Sequence, residues 1–472
     1  MKSAKAAFSG EFYFALAFGL FLGLTILKFG NPVILDNNVS TPASLTDFWN
    51  DPWPPHWANW IFLPLTFVGA VLVFTEKRFR SILLMPRIKW LWLLPLVWFG
   101  WQLISATKTV DADLTAATLW QFFGCVAAYF LGMLLFADKR ALNLLLIGTL
   151  LAFTYCLVRA VVQKRYEYPQ NHQMLVEGER SGWTNFPPPT IIEMKRENII
   201  INTNGMDMAN PVVLSKFAKA RVNGTLVYPN ALAGLILLLL PVSLVLAFQS
   251  NDKLKPFIRL SVIMMTVFLG SAAFSWTGSK LGWLLGIAVA SMFLLHLDWP
   301  AKFKILVVAA ILILGMGVFA VRFHNYFEAG ATSVGARFDY WRAAFQTSVQ
   351  NPVFGSGPGT FQRPYARIKS PDAEMARLAH NDYLEQFSDS GFVGGLAYVA
   401  WISLAVAIVG KKLWRSQDHF AFAIFAGLVA WFTQGFGEFS LYVPALAWIA
   451  FTLLGSMVGL KIIEFDKKAP LK

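Results

Sequence analysis

Charge is scarce in this sequence. Asp, Glu, Lys and Arg make up 14% of its 472 residues, against roughly 25% in a soluble domain, which excludes a water-soluble enzyme with an ordinary charged surface. Cysteine is scarcer still. Cys125 and Cys156 each stand inside an apolar run, which excludes a disulfide framework or a cysteine-based zinc site and makes both expected core residues. The six histidines form no cluster with metal-ligand spacing, so no metal and no cofactor are expected. Internal repeats, heptad runs and low-complexity tails are also lacking.

What the chain has instead is apolar and aromatic surface. It is 56% hydrophobic, with 18 Trp and 42 Phe, and its mean hydropathy is +0.52. A membrane-spanning helix needs about 20 mostly apolar residues. That length fits twelve stretches, near 11–29, 57–75, 90–107, 116–137, 141–162, 228–249, 258–275, 281–297, 304–321, 391–410, 419–437 and 443–460. The expected fold is therefore an all-α polytopic membrane protein with about twelve transmembrane helices. It divides into helices 1–5 (1–162), a long loop (163–227), helices 6–9 (228–321), a second long loop (322–390), and helices 10–12 with a tail (391–472). Lys2 and Lys5 precede a first run of full spanning length, read as an uncleaved span.

The net charge of +13 does not require nucleic acid. Lys77, Arg78, Arg80, Arg87 and Lys89, then Lys139 and Arg140, Lys253, Lys255 and Arg259, Lys302 and Lys304, Lys411, Lys412 and Arg415, and Lys461, Lys467 and Lys468 all fall on one side of a twelve-span chain. The opposite stretch 31–56 has no Lys or Arg. Positive charge marks the cytoplasmic side, so both termini are expected in the cytoplasm and both long loops outside it. A smaller share of the positive charge sits in those loops, where it suits an anionic substrate. Loops this long in a compact protein are usually functional, and helix-like stretches at 337–349 and near 371–389 indicate that the second is ordered.

The span interiors are nearly bare of ionisable groups, whereas transporters and pumps tend to place them at mid-membrane. The candidate site therefore lies in the loops and at the adjoining span ends. His380 is followed by Asn381, and an imidazole suits a general base. Arg337, Arg221 and Lys280 are cations that can hold a phosphate, and Glu438 is an isolated carboxylate at the end of the eleventh span. Each alone has a bland reading, as a junction histidine, a surface ion pair or a span-end anchor. The pair Asp111 and Asp113 is of a kind that many glycosyltransferases use with a metal, but such pairs are common by chance.

Taken in order, these pieces resemble the O-antigen ligase/polymerase superfamily of bacterial GT-C membrane glycosyltransferases. The carriers are Arg221…Gly224-Thr225…Pro229-Asn230, Thr277-Gly278-Ser279-Lys280, Arg337…Trp341, Asn351-Pro352 through Gly355-Ser356-Gly357-Pro358-Gly359-Thr360-Phe361, His380-Asn381 with Gly391 and Gly394 following, and Glu438-Phe439-Ser440-Leu441. They cover about 215–460. The resemblance implies metal-independent transfer of a glycan from an undecaprenyl-diphosphate carrier to an acceptor hydroxyl at the periplasmic face, as in an O-antigen ligase. His380 and Glu438 would be catalytic, Arg337, Arg221 and Lys280 would hold the diphosphate, and Asn381, Asn230 and Gly357 would support them. A lysine stands where the family's turn has arginine, so Lys280 ranks below Arg337. Partners would be the lipid-linked donor, membrane lipids, and a glycan, lipid A-core or protein acceptor. The resemblance does not separate ligase from polymerase or protein O-oligosaccharyltransferase. The reading from another class is a lipid-linked glycan flippase.

Overall fold

The computed structural model describes residues 10–75, 89–203, 205–250, 255–328 and 332–466. The basic residues Lys2, Lys5, Lys77, Arg78, Arg80, Arg87, Lys253, Lys467 and Lys468 lie outside them. Each of the twelve apolar stretches coincides with a helix. In chain order these are α1 (Gly10–Lys28), α2 (Pro55–Thr75), α3 (Lys89–Ala106), α4 (Ala112–Leu135), α5 (Lys139–Val162), α6 (Pro229–Gln249), α7 (Pro256–Thr277), α8 (Lys280–His296), α9 (Ala301–Glu328), α10 (Asp382–Leu413), α11 (His419–Gln434) and α12 (Pro444–Asp466). Eight helices are long and apolar enough to cross a membrane, and Lys280–His296, His419–Gln434 and Pro444–Leu460 are shorter apolar helices. The chain is an all-α polytopic membrane protein.

Lipid offers no hydrophobic drive for helices to associate, so close backbone approach does that work. A Cβ on Gly19 would run into the Leu145 carbonyl, and one on Gly148 would come within 2.6 Å of the Leu20 nitrogen, which locks α1 to α5. Gly132 meets the Thr452 carbonyl and Gly455 the Tyr129 carbonyl in the same way, which locks α4 to α12. The central helix α11 and the Pro444–Leu460 part of α12 are buried almost all round, whereas α9 turns Ile313 and Val321 outward. Apolar exposure of that kind is stable only against lipid. Cys125 and Cys156 are buried and unpaired.

Both long loops emerge at one end of the bundle. In the first, α5 continues through a π-helical turn (Gln163–Glu167) into the helix Tyr168–Arg180. Then follow a helix (Pro188–Arg196), an antiparallel hairpin pairing Ile200–Thr203 with Met206–Ala209, and a helix (Pro211–Lys219). Leu175, Trp183, Met194, Ile200 and Ala209 give this loop its own small core. The second loop holds the helices Thr332–Gln350 and Gln362–Ile368, packed through Tyr340, Ala343, Phe361, Tyr365 and Ala379. The helix expected near 371–389 begins only at Asp382, because the Asn381 side chain caps it by accepting from the Tyr383 and Leu384 N–H groups at 3.1 and 3.0 Å. His380 therefore stands before the helix, not on it.

Candidate active site

The site begins with two glycine-dependent backbone features. At Gly391 (φ +65°) α10 breaks, and a Cβ there would come within 2.6 Å of the Pro352 carbonyl oxygen and still closer to that of Val353. The nine residues between Asn381 and Gly391 are thus a half-helix, capped at one end and broken at the other, which accounts for the spacing of that motif. The turn Gly355–Gly359 lies flat against this half-helix. Ser356 and Gly357 N–H groups donate to the Ser388 and Asp389 carbonyls, each at 2.9 Å. Gly357 (φ +107°) leaves no room for a side chain against Thr109. Its contribution is this close approach.

Three carboxylates on the half-helix are buried: Asp382, Glu385 and Asp389. Their spacing of three and four residues puts them on one face, and each fastens a different segment. Asp382 accepts from the Leu441 N–H at 3.3 Å, Asp389 from the Gly359 N–H at 2.7 Å and the Tyr442 hydroxyl at 2.8 Å, and Glu385 from the Ala379 N–H at 2.9 Å. None of the three was among the site residues expected from the sequence, although acids at helical spacing next to a span are a readable signal. Glu385 bears directly on His380, which has φ +51°, a left-handed conformation costing about 1–3 kcal/mol in a non-glycine residue. Glu385→Ala would orphan the buried Ala379 N–H, at a cost of about 1–3 kcal/mol, and release that strain. We expect it to lower kcat about tenfold with little change in donor KM, while Glu385→Gln, which keeps an acceptor oxygen, stays near wild type. Steady-state kinetics alongside thermal unfolding would check this, and equal losses in the two variants would refute it.

His380 is held between the Tyr340 ring, stacked at 5.8 Å, and the Phe439 ring, edge-on at 4.7 Å. Its Nδ1 lies 3.7 Å from Glu438 Oε2, beyond hydrogen-bonding distance. These two atoms are buried and lack any other partner, so a small rotation closes them and leaves Nε2 for a ligand. Glu438 is only 1% exposed. Its Oε1 accepts from Arg337 Nη2 at 2.6 Å and from Asn230 Nδ2 at 2.7 Å. Asn230 Oδ1 in turn accepts from Arg221 Nη2 at 2.9 Å. One buried carboxylate thus joins residues from four distant parts of the chain.

The local folding reasons are visible. Pro229 occupies the first turn of α6, where its missing N–H costs nothing, and sets Asn230 in the second position. The turn between α7 and α8 uses Gly278 in the left-handed region (φ +60°) and Ser279 as the cap of α8, accepting from the Gly282 N–H at 3.1 Å. Arg221 Nε donates to the freed Thr277 carbonyl at 2.6 Å. Burial, together with the nearby charge of Arg337, pulls the Arg221 guanidinium below its usual pKa, and Glu438 pulls the other way. An arginine remains charged regardless.

Lys280 is in electrostatic range of Arg221 and Arg337, but its ammonium rests 3.7 Å from the centroid of the Tyr326 ring. It is thus a neighbour of the Glu438 centre rather than bonded into it. Asp111 is committed elsewhere: it caps α4 by accepting from the Leu114 N–H at 3.2 Å and pairs with Arg363 at 2.6 Å. Among the described residues no group of three or more His, Cys, Asp or Glu side chains is placed to hold a metal ion.

Residues 265–399 match the sequence model of a family described as O-antigen ligase. The chain carries an O-antigen ligase family domain. In addition, 187 residues are 26% identical to an uncharacterized protein of Haemophilus influenzae, covering 35% of this chain and 45% of that protein. The chain therefore spans less than half the length of this curated relative. The O-antigen ligase domain holds Lys280, Arg337 and His380, but Arg221, Asn230 and Glu438 lie outside the matched residues. The Glu438 centre is assembled across that boundary.

Proposed function

We propose that this protein is a metal-independent glycosyltransferase that moves a glycan from undecaprenyl diphosphate to an acceptor hydroxyl at the periplasmic face of a bacterial inner membrane, as an O-antigen ligase does. The observation that carries this reading is the Glu438 centre. It pairs a histidine having a free nitrogen with two arginines, in a ratio of cations to carboxylate that favours an anion.

The chemistry follows from charge. The acceptor oxygen forms a bond to the anomeric carbon while the bond from that carbon to the diphosphate oxygen breaks, and the diphosphate leaves with the electron pair. The acceptor proton passes to His380 Nε2, whose other nitrogen is steadied by Glu438. Arg337 and Arg221 stabilise the charge growing on the leaving group, the role for which preorganised cations are best suited. Lys280 adds longer-range attraction. A cavity of about 570 Å³ between α10 and α11 begins at Asn381, next to His380, and runs past Phe387, Phe432 and Ile402 to Val406. Its largely apolar lining suits the isoprenoid tail, with the diphosphate at its polar mouth.

Reconstitution in liposomes with an undecaprenyl-diphosphate glycan tests this directly. Separate arms supply lipid A-core, a free glycan or a hydroxyl-bearing protein as acceptor, and product mass and linkage are read in EDTA. Glycan joined to any of the three supports transfer, and the productive arm names the acceptor class. Transbilayer movement of the carrier with no product in any arm would replace this reading with a flippase.

A further inference from the structure

A second group of cations surrounds the C-terminal end of α7. Arg322 Nη2 donates to the Ser275 carbonyl at 2.7 Å. The Arg165 guanidinium lies 5.7 Å from the centroid of the Trp276 ring. Lys164 Nζ donates to the Ala220 carbonyl at 3.2 Å, and the Val222 N–H donates to the Trp276 carbonyl at 3.2 Å, so Lys164 is drawn to the same turn. Lys164 is within electrostatic range of both Arg165 and Arg322. The three come from two separate segments, the extension of α5 and the end of α9.

Among the described residues no carboxylate pairs with any of them. The acids nearest in sequence are taken, Glu167 by Arg159 at 2.6 Å and Glu328 by His324 at 3.1 Å. The C-terminal end of α7 contributes about half a negative charge, which leaves more than two positive charges unbalanced. Helix capping explains one cation there, not three. The cluster also stands at the long-loop end of the bundle, where the charge asymmetry of the short turns leads one to expect few Lys or Arg. Arg165 and Arg322 are exposed beside the lipid-facing surface of α7 and α9, and a guanidinium can grip a phosphate by two parallel hydrogen bonds.

We propose that Lys164, Arg165 and Arg322 form a second anion site, which takes a phosphate or diphosphate group at the membrane surface, beside but separate from the Glu438 centre. It rests on the transfer reading only for the identity of the first anion. The phosphate can belong to a lipid headgroup or be free in solution, and two arms distinguish these sources. Full-length protein in phosphatidylcholine nanodiscs is titrated with inorganic pyrophosphate by calorimetry, and phosphatidic acid is introduced into matched nanodiscs and retained lipid counted by native mass spectrometry.

The wild type should bind two anions in at least one arm. Arg165→Gln/Arg322→Gln, at exposed positions, should lose one of them or weaken it at least tenfold, and Lys164→Gln should weaken the same one. The double variant Arg337→Ala/Glu438→Gln should lose the other. Two anions in the lipid arm alone assign the second site to a headgroup, and two in the pyrophosphate arm alone to a soluble phosphate. A single anion in the wild type, or unchanged binding in Arg165→Gln/Arg322→Gln, overturns the proposal. Unchanged binding in Arg337→Ala/Glu438→Gln counts instead against the transfer reading.

Discussion

Replacing His380 with alanine should lower glycan transfer by a factor of about 10² to 10⁴, the range for losing a positioned general base, while the protein still folds. The side chain is partly exposed and makes no short hydrogen bond, so its removal orphans nothing except the already unpartnered Glu438 Oε2. Donor binding should persist, because Arg337, Asn230 and Arg221 keep their bonds. The split to look for is therefore a collapse of kcat with donor KM nearly unchanged. In cells, lipid-linked glycan should accumulate on the outer face of the membrane. If the carrier stays on the cytoplasmic face instead, His380 serves its movement across the bilayer and the transferase reading fails.

The second large effect concerns Arg337 and Glu438, and here stability and activity should part company. Arg337→Ala leaves Glu438 charged and buried with one amide as its remaining hydrogen-bond partner. Breaking a buried pair from one side costs about 3–5 kcal/mol, which should appear as a clear drop in unfolding temperature. Adding Glu438→Gln removes the stranded charge, so the double variant should regain most of the stability, giving a strong coupling in a double-mutant cycle. Transfer should not return, because neither the guanidinium nor the carboxylate beside His380 is restored. Arg337→Lys should keep more stability than alanine and raise donor KM, since an ammonium lacks the two-pronged grip. Recovery of transfer in the double variant would mean that the pair is structural only.

Much of this architecture could be read before any coordinates. The run lengths placed the twelve helices because a backbone in lipid must satisfy its own hydrogen bonds, which leaves few alternatives to a helix. The glycines were legible as positions, but not their reasons. Gly391 is needed because α10 breaks against the Val353 carbonyl, and Gly357 because Thr109 occupies the space of its side chain. The pattern of residues near 371–389 fits a helix that would carry His380. The Asn381 side chain sets the start of the helix at Asp382, about eleven residues later than expected, and local propensity does not register such a cap when the preceding stretch looks helical.

What the sequence determined alone was the solvent of the fold and the identity of the ionisable residues, because hydropathy and charge act over stretches of chain. What only the tertiary structure decided was which of those residues meet. Glu438 is 58 residues from His380, 101 from Arg337 and 208 from Asn230 along the chain. No local rule couples positions so far apart. The burial of Glu438 between α6, α11 and the second loop does so, because a carboxylate taken out of water must find every partner within reach. The same holds for Asp382, Glu385 and Asp389, whose spacing was visible but whose partners at 441, 379 and 359 were not. Lys164, Arg165 and Arg322 are far apart or unremarkable along the chain, and only the end of α7 brings them together, with no acid paired to them among the described residues.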